Sequence, residues 1–149
     1  MTCLAGTLER VLRHFDDNPA VRFVRMSDSC ENACKTKILV VDDNKDAVEA
    51  LSTLLEWEGF AVATAQNGSD ALKKLNNEGI SVILLDLWMP VMNGWEFLRQ
   101  KAEAENIANI PVIVLSANPP WDRPQGAQAV LQKPVYPQAL ISAIERCLP

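Results

Sequence analysis

Three runs of the chain are dense in valine, isoleucine and leucine and show little alternation of apolar with polar residues. They cover residues 37–41, 80–85 and 111–115. Runs of this kind are typical of strands in a parallel sheet that is covered on both faces. Two weaker strand patterns, at residues 60–64 and 129–132, bring the number of predicted strands to five. The sequence therefore predicts a buried parallel sheet.

Helical patterns alternate with these strands. Apolar residues recur at helix spacing between positions 47 and 55, and Gly59 lies just past the end of that stretch. Further helices are predicted at residues 71–75, 94–104 and 138–148. Strands that alternate with helices are characteristic of the α/β class, in which right-handed crossovers connect parallel strands. We therefore expect an α/β fold.

The composition is that of one globular domain. The chain has 149 residues, of which 48% are hydrophobic and 22% are charged. No apolar stretch approaches the roughly 20 residues that cross a bilayer, and charged residues interrupt any signal sequence near the N-terminus. The formal net charge of −5 argues against general nucleic-acid binding, which needs clustered lysine and arginine. We expect a cytoplasmic protein with neither a membrane nor a nucleic acid as partner.

The beginning of the chain differs from the rest. Residues 8–15 have the spacing of a short amphipathic helix, and a polar stretch without periodicity follows further on. We expect residues 1–36 to be a poorly packed extension and residues 37–149 to form the folded domain. Met26 is a second candidate start, and the sequence leaves the choice between Met1 and Met26 open.

Reactive side chains follow four of the five predicted strands. Asp42 and Asp43 follow the first strand, Asp86 follows the third, and Ser116 and Lys133 follow the last two. The carboxyl ends of parallel strands share one edge of the sheet, and ligands of open α/β folds bind there. We therefore expect these five side chains to meet in one pocket.

This set of groups predicts phosphoryl-transfer chemistry. Carboxylates about 4 Å apart repel by roughly 4 kcal/mol per pair at an effective dielectric constant near 20. Mg²⁺ relieves such repulsion and suits sites where it also shares a phosphate. Lys133 offers a compact positive charge and Ser116 a hydroxyl donor, so an aspartyl phosphate is the expected intermediate. Alone, an acidic pair before a helix is more often a helix cap, and only its combination with Asp86 and Lys133 favours a metal site.

From Lys37 to the C-terminus, the chain resembles the receiver domains of two-component response regulators. The resemblance lies in four segments, residues 38–43, 86–94, 115–117 and 126–134. It implies a doubly wound, five-stranded parallel sheet of strand order 2-1-3-4-5, which is the flavodoxin-like receiver fold.

The resemblance also implies a role for each group. Asp86 would accept a phosphoryl group from a histidine kinase or a histidine phosphotransfer protein, and Ser116 and Lys133 would hold the phosphoryl oxygens. Mg²⁺ would be bound by the side chains of Asp42, Asp43 and Asp86 and by the backbone carbonyl of Trp88. Asp42 would act directly or through a water molecule. The peptide bond between Lys133 and Pro134 would be cis.

Two features depart from that family's usual pattern. Val130 stands where the family usually has an aromatic residue, three positions before the lysine. The segment between Ser116 and Lys133 is short and contains three prolines, at positions 119, 120 and 124. Proline lacks a backbone donor and restricts the residue before it. We therefore expect the family's fourth helix, which would lie between Ser116 and Lys133, to be missing or about one turn long. How phosphorylation is read out is therefore open.

The four tryptophans receive separate interpretations. Trp88 is large for a position beside a phosphoryl group, and we expect it to slow the attack of water there. Trp57 and Trp95 are interpreted as packing residues. Trp121 lies among the prolines and is either a local packing anchor or an exposed contact for a partner.

Three functions remain open at this point. The first is a stand-alone phosphoacceptor whose output passes through an unknown partner protein or a phosphorelay. The second is a binding module that keeps the receiver scaffold but acts without phosphorylation, which Val130 and the proline-rich segment favour. The third is a hydrolase with an aspartyl nucleophile, which would need a second acid or base near Asp86, where Trp88 stands.

Overall fold

The computed structural model describes residues 36–149. Its strands are β1 (Lys37–Val41), β2 (Ala61–Ala65), β3 (Val82–Asp86), β4 (Val112–Ser116) and β5 (Ala129–Gln132). All neighbouring strands are parallel, and their order in the sheet is β2-β1-β3-β4-β5. The predicted fold class and strand order are confirmed.

Four helices are present among the described residues: α1 (Lys45–Trp57), α2 (Gly68–Leu75), α3 (Gly94–Glu103) and α4 (Pro137–Cys147). The predicted strand ends need a small correction, because β3 and β4 each continue one residue further than expected. Asp86 pairs with Leu115, and Ser116 pairs with Gln132. Two of the reactive residues are therefore held within the sheet itself, not in the loops that follow it.

The sheet is covered on both faces, as the unbroken apolar runs predicted. In β3, Ile83 and Leu85 belong to one buried cluster, which also contains Phe97 of α3. Val82 and Leu84 belong to a second cluster on the opposite face. All four of these strand residues have no solvent exposure. Burying one such side chain contributes about 1.5–3 kcal/mol, so β3 is a firm support for Asp86 at its end.

Asparagine side chains cap three helices at the edge where the reactive groups lie. Asn44 accepts hydrogen bonds from the backbone of Asp46 and Ala47 at the start of α1. Asn67 and Asn93 do the same at the start of α2 and α3. A cap of this kind contributes about 1 kcal/mol. The three caps fix where the loops after β1, β2 and β3 end.

No helix lies between β4 and β5, where residues 117–128 form turns and irregular backbone. The prediction that the helix of this crossover is missing or about one turn long is confirmed. Trp121 in this segment is fully exposed, which decides between its two interpretations against a packing role.

The interpretation of Trp57 was wrong. It is the last residue of α1 and is 87% exposed, so it does not pack in the core. The predicted extension of residues 1–36 lies outside the described residues except for Thr36. Within residues 36–149, the structure has no helix with the length and apolar character needed to cross a membrane.

Candidate functional site

Three carboxylates come together at the carboxyl edge of the sheet. Asp42 and Asp43 directly follow β1, and Asp86 ends β3, the strand beside it. One carboxylate oxygen from each residue lies within 4.8 Å of the others. Asp42 and Asp86 are buried, whereas Asp43 is exposed. The acidic cluster expected from the sequence is therefore present in the structure.

Lys133 reaches this cluster from the end of β5. Its ammonium nitrogen lies 2.6 Å from Oδ2 of Asp42 and 3.9 Å from Oδ1 of Asp86. The Lys133–Pro134 peptide bond is cis. A single positive charge thus faces three negative ones, so the cluster remains short of positive charge.

Burial and the two neighbouring carboxylates act on the pKa of Asp86 in the same direction. Burial is the largest cause that raises the pKa of Asp86 above its usual value, and the charges of Asp42 and Asp43 raise it further. The ammonium of Lys133 and the backbone N–H of Trp88 lower the pKa but do not cancel these effects. Asp86 is therefore harder to ionise than an ordinary aspartate, and a further positive charge would offset this effect.

The two oxygens of Asp42 are already occupied. Oδ1 accepts a hydrogen bond of 2.9 Å from the backbone of Asn44, and Oδ2 accepts the bond from Lys133. Within residues 36–149, Asp43 and Oδ2 of Asp86 have no such partners, so these are the oxygens free to bind a cation. Hard oxygen donors of this kind suit Mg²⁺, which also retains several water molecules. The donor set therefore fits a magnesium ion, with Asp42 more suited to contact through water.

Ser116 lies at the end of β4, one residue beyond the strand partner of Asp86. Its side chain is fully buried, and its hydroxyl donates a hydrogen bond of 3.0 Å to the backbone carbonyl of Asn118. Its own carbonyl accepts a hydrogen bond of 2.9 Å from the backbone of Lys133. Ser116 therefore joins the ends of β4 and β5 at the site.

Trp88 lies two residues after Asp86, in the loop that follows β3. Its backbone N–H donates a long hydrogen bond of 3.4 Å to Oδ1 of Asp86. Trp88 is 64% exposed, and its ring meets the ring of Trp95 edge to face, with centroids 5.0 Å apart and planes at 78°. Trp95 is itself exposed and packs here against a surface ring, not in the core as a packing residue would. The role of the Trp88 carbonyl as a metal ligand stays a prediction.

The loop from Leu87 to Asn93 is tightly shaped. A side chain at Gly94 would place its first carbon 2.7 Å from the Cα of Leu87, and the Gly94 N–H donates to the Leu87 carbonyl at 2.9 Å. Val91 has a φ of +67°, and the Met92 N–H bonds the Pro90 carbonyl at 2.8 Å across it. This geometry is a γ-turn of the rare, strained kind.

Several residues that shape the site were missed by sequence reasoning. Asn44 was not predicted to orient Asp42, although an asparagine after an acidic pair and before a helical pattern is a recognisable cap signal. Gly94 was interpreted only as the start of a helix. Nothing in the sequence pattern indicated the positive φ of Val91 or the bond from Ser116 to Asn118.

Comparison with known proteins agrees with this geometry. The family model described as "Response regulator receiver domain" matches residues 38–145. The chain belongs to this family, which is that of the receiver domains of two-component systems.

Individual relatives support the assignment. The "Transcriptional regulatory protein CpxR homolog" of Haemophilus influenzae is 44% identical over 118 residues, which cover 76% of this chain and 50% of that protein. "Protein PilH" of Pseudomonas aeruginosa is 33% identical over 117 residues, which cover 75% of this chain and 97% of that protein. The chain thus spans about half the length of the first relative and nearly all of the second.

The solved structures show the same fold. The chemotaxis protein CheY4 of Vibrio cholerae superimposes with a TM-score of 0.72 at 30% identity, covering 77% of this chain and 100% of that chain. A receiver domain protein from Clostridium thermocellum superimposes with a TM-score of 0.68 at 31% identity, covering 75% of this chain and 93% of that chain.

Proposed function

We propose that this receiver domain is a phosphoacceptor that is phosphorylated on Asp86 by a histidine kinase or a histidine phosphotransfer protein. The observation that carries the proposal is the grouping of Asp86 with Asp42 and Asp43 within 4.8 Å and of Lys133 at 3.9 Å. The output would pass through a partner protein, and the chain would act in the cytoplasm.

The reaction follows from the chemistry of these groups. An oxygen of Asp86 attacks the phosphorus of a phosphohistidine, a new O–P bond forms and the N–P bond breaks, so the imidazole of the donor leaves. Negative charge then accumulates on three phosphoryl oxygens. Lys133 is close enough to exchange its bond with Asp42 for one with a phosphoryl oxygen, and the hydroxyl of Ser116 can donate to another.

Asp43 and Asp86 would hold Mg²⁺ together with the carbonyl of Trp88, and Asp42 would contact it through water. The bound ion would offset the charge of the carboxylates and of the phosphoryl group. Burial of Asp86 also favours phosphoryl transfer, because it keeps competing water away from most of the carboxylate. The exposed Asp43 leaves one side of the cluster open to the ion and to the donor.

Acetyl phosphate provides a direct test that does not require the cognate kinase. The protein is incubated with Mg²⁺ and acetyl phosphate, and its intact mass is measured. We expect a gain of about one phosphoryl group, no gain for Asp86→Asn, and no gain in excess EDTA. Asp46→Asn, an exposed carboxylate at the start of α1, serves as the matched control and should behave as the parent. An unmodified parent protein would contradict the proposal.

A binding module that acts without phosphorylation remains the second candidate. It is favoured by the absence of a helix between β4 and β5 and by Val130, which replaces the aromatic residue expected in this family. The same mass measurement separates the two, since this candidate predicts no phosphoryl gain in spite of an intact acidic cluster.

A further inference from the structure

Gly68 is the first residue of α2 and is buried, but its backbone conformation does not require a glycine. The described glycines with a positive φ are Gly59, Gly79 and Gly126. The space around Gly68 does require one, because a methyl group there would lie 2.7 Å from Cγ and 2.8 Å from Sδ of Met92. Carbon atoms in contact are roughly 3.5–4.0 Å apart. The side chain of Met92 thus occupies the place where a side chain of residue 68 would be.

The backbones of the same two residues are also bonded to each other. The N–H of Gly68 donates a hydrogen bond of 3.2 Å to the carbonyl of Met92. The first N–H groups of a helix have no partner within the helix, so this donor of α2 is available to the loop. Within residues 36–149, it makes the only hydrogen bond between residues 89–92 and another helix or strand. Met92 is therefore held on α2 by its backbone and by its side chain.

This attachment determines the path of the loop that contains Trp88. Met92 lies four residues after Trp88, in the connection between β3 and α3. The base of the loop is closed by the hydrogen bond of 2.9 Å between Gly94 and Leu87, and its far side rests on α2 through Met92. Trp88 lies between these two points and makes only one long backbone bond of 3.4 Å itself. The position of its carbonyl therefore depends on where the loop is held.

We propose that Gly68 is a positioning residue for the magnesium site, because it leaves room for Met92 and so fixes the loop that carries the Trp88 carbonyl. The inference rests on the proposed function, in which this carbonyl binds Mg²⁺. The ion requires nearly octahedral geometry with ligands at roughly 2.0–2.1 Å, so a displaced loop weakens its binding. Removing a group that holds a metal ligand in place typically costs about 10–100-fold in affinity.

The test is a titration of the full, metal-free chain with MgCl₂, followed by the NMR resonance of the Trp88 backbone amide. We expect Gly68→Ala to bind Mg²⁺ about tenfold more weakly than the parent, because the added methyl group pushes Met92 away from α2. Met92→Ala should also weaken binding, and Met92→Leu, which keeps most of the side-chain volume, should weaken it less. In the Met92→Ala background, Gly68→Ala should cause no further loss, since the methyl group then has room.

Gly79 offers a matched control. It has a φ of +60° and no atom within 4 Å of an added methyl group, so Gly79→Ala strains the backbone without touching the loop. This variant should have a lower melting temperature and the Mg²⁺ affinity of the parent.

Three results would overturn the positioning role and leave the proposed function standing. They are parent-like Mg²⁺ affinity in Gly68→Ala or in Met92→Ala, additive losses in the double variant, and an equal loss of affinity in Gly79→Ala. A parent protein that binds no Mg²⁺ would overturn the metal site of the proposed function and the positioning role together.

Discussion

Lys133 lies closer to Asp42 than to Asp86, with distances of 2.6 Å and 3.9 Å from its ammonium nitrogen to the nearest carboxylate oxygens. Asp42 is the more buried of the two carboxylates, so it gains most from a counter-charge in direct contact. Oδ2 of Asp86 has no hydrogen-bond partner within residues 36–149, which suits a group that has to attack phosphorus. The lysine is thus placed to offset the negative charge of the carboxylate cluster first and that of a phosphoryl group later.

Removing this lysine should destabilise the folded state of the metal-free protein. Lys133→Met leaves buried carboxylates without their counter-charge, and we expect a loss of about 1–3 kcal/mol in the free energy of unfolding in EDTA. Mg²⁺ should restore part of the loss, because it supplies positive charge to the same cluster. Urea unfolding with and without Mg²⁺ measures both effects. Lys45→Met is the control, since Lys45 is exposed at the start of α1, and an equal loss in that variant would contradict the explanation.

Magnesium should stabilise the folded protein through the same carboxylates. A ligand that binds only the folded state at 100 times its dissociation constant adds about 2.7 kcal/mol. We expect the melting temperature to rise with Mg²⁺ concentration. Asp43→Ala should raise the melting temperature in EDTA, because it removes one repelling charge, and should abolish the rise with Mg²⁺. A melting temperature that does not respond to Mg²⁺ in the parent would count against a metal site.

Sequence reasoning reached the α/β class and the reactive groups through features that act locally, whereas the strand order and the role of each group came from the resemblance to receiver domains. Unbroken apolar runs mark strands that are buried on both faces, and a charged residue directly after such a run has to lie at the strand's end. The parallel arrangement then brings Asp86, Ser116 and Lys133 to one edge. This step requires only the periodicity and the order of elements along the chain.

Details that depend on distances between elements could not be predicted. The preference of Lys133 for Asp42 depends on the relative depth of two carboxylates, and the exposure of Trp57 depends on where α1 ends relative to the sheet. The close approach of Gly94 to Leu87 depends on the path of a loop. Such properties result from packing in three dimensions, and the local pattern of apolar and polar residues does not encode them.

The strained turn at Val91 should be relieved by residues that accept a positive φ. Val91 is 88% exposed, so its replacement loses little burial, and a β-branched residue at a φ of +67° is unfavourable. We expect Val91→Asn to raise the free energy of unfolding by about 1 kcal/mol, and Val91→Ala to give a smaller gain. Chemical denaturation measures the series. If Val91→Asn destabilises the protein, the contacts of the valine side chain stabilise the fold by more than the backbone strain costs.

Lys101 should make stability depend on alkaline pH. It lies on the buried face of α3 and donates a hydrogen bond of 2.7 Å to the Ala108 carbonyl, and burial lowers its pKa. A lysine with a lower pKa in the folded state disfavours folding while it is charged. The cost is fully present below the folded pKa and disappears as the pH rises from the folded to the unfolded value near 10.4.

The variant Lys101→Met isolates this effect. We expect it to be at least as stable as the parent at pH 7, because an apolar side chain of similar length replaces a buried charge. The parent should then gain stability relative to the variant as the pH rises toward 10.5. Unfolding curves for both proteins between pH 7 and 10.5 provide the comparison. A difference that stays constant over this range would show that Lys101 keeps its ordinary pKa.

Trp88 should lengthen the lifetime of the phosphorylated state. Trp88 lies two residues after Asp86, and its ring packs against that of Trp95 with 5.0 Å between centroids, so we expect this pair to restrict the approach of water to the phosphoryl group. We expect Trp88→Ala to lose phosphate several-fold faster than the parent after excess acetyl phosphate is removed, and Trp95→Ala to lie between the two. Trp57→Ala is the control, because a helix of 13 residues spans roughly 20 Å and places Trp57 at the far end of α1. If Trp88→Ala loses phosphate no faster than Trp57→Ala, the ring does not shield the site.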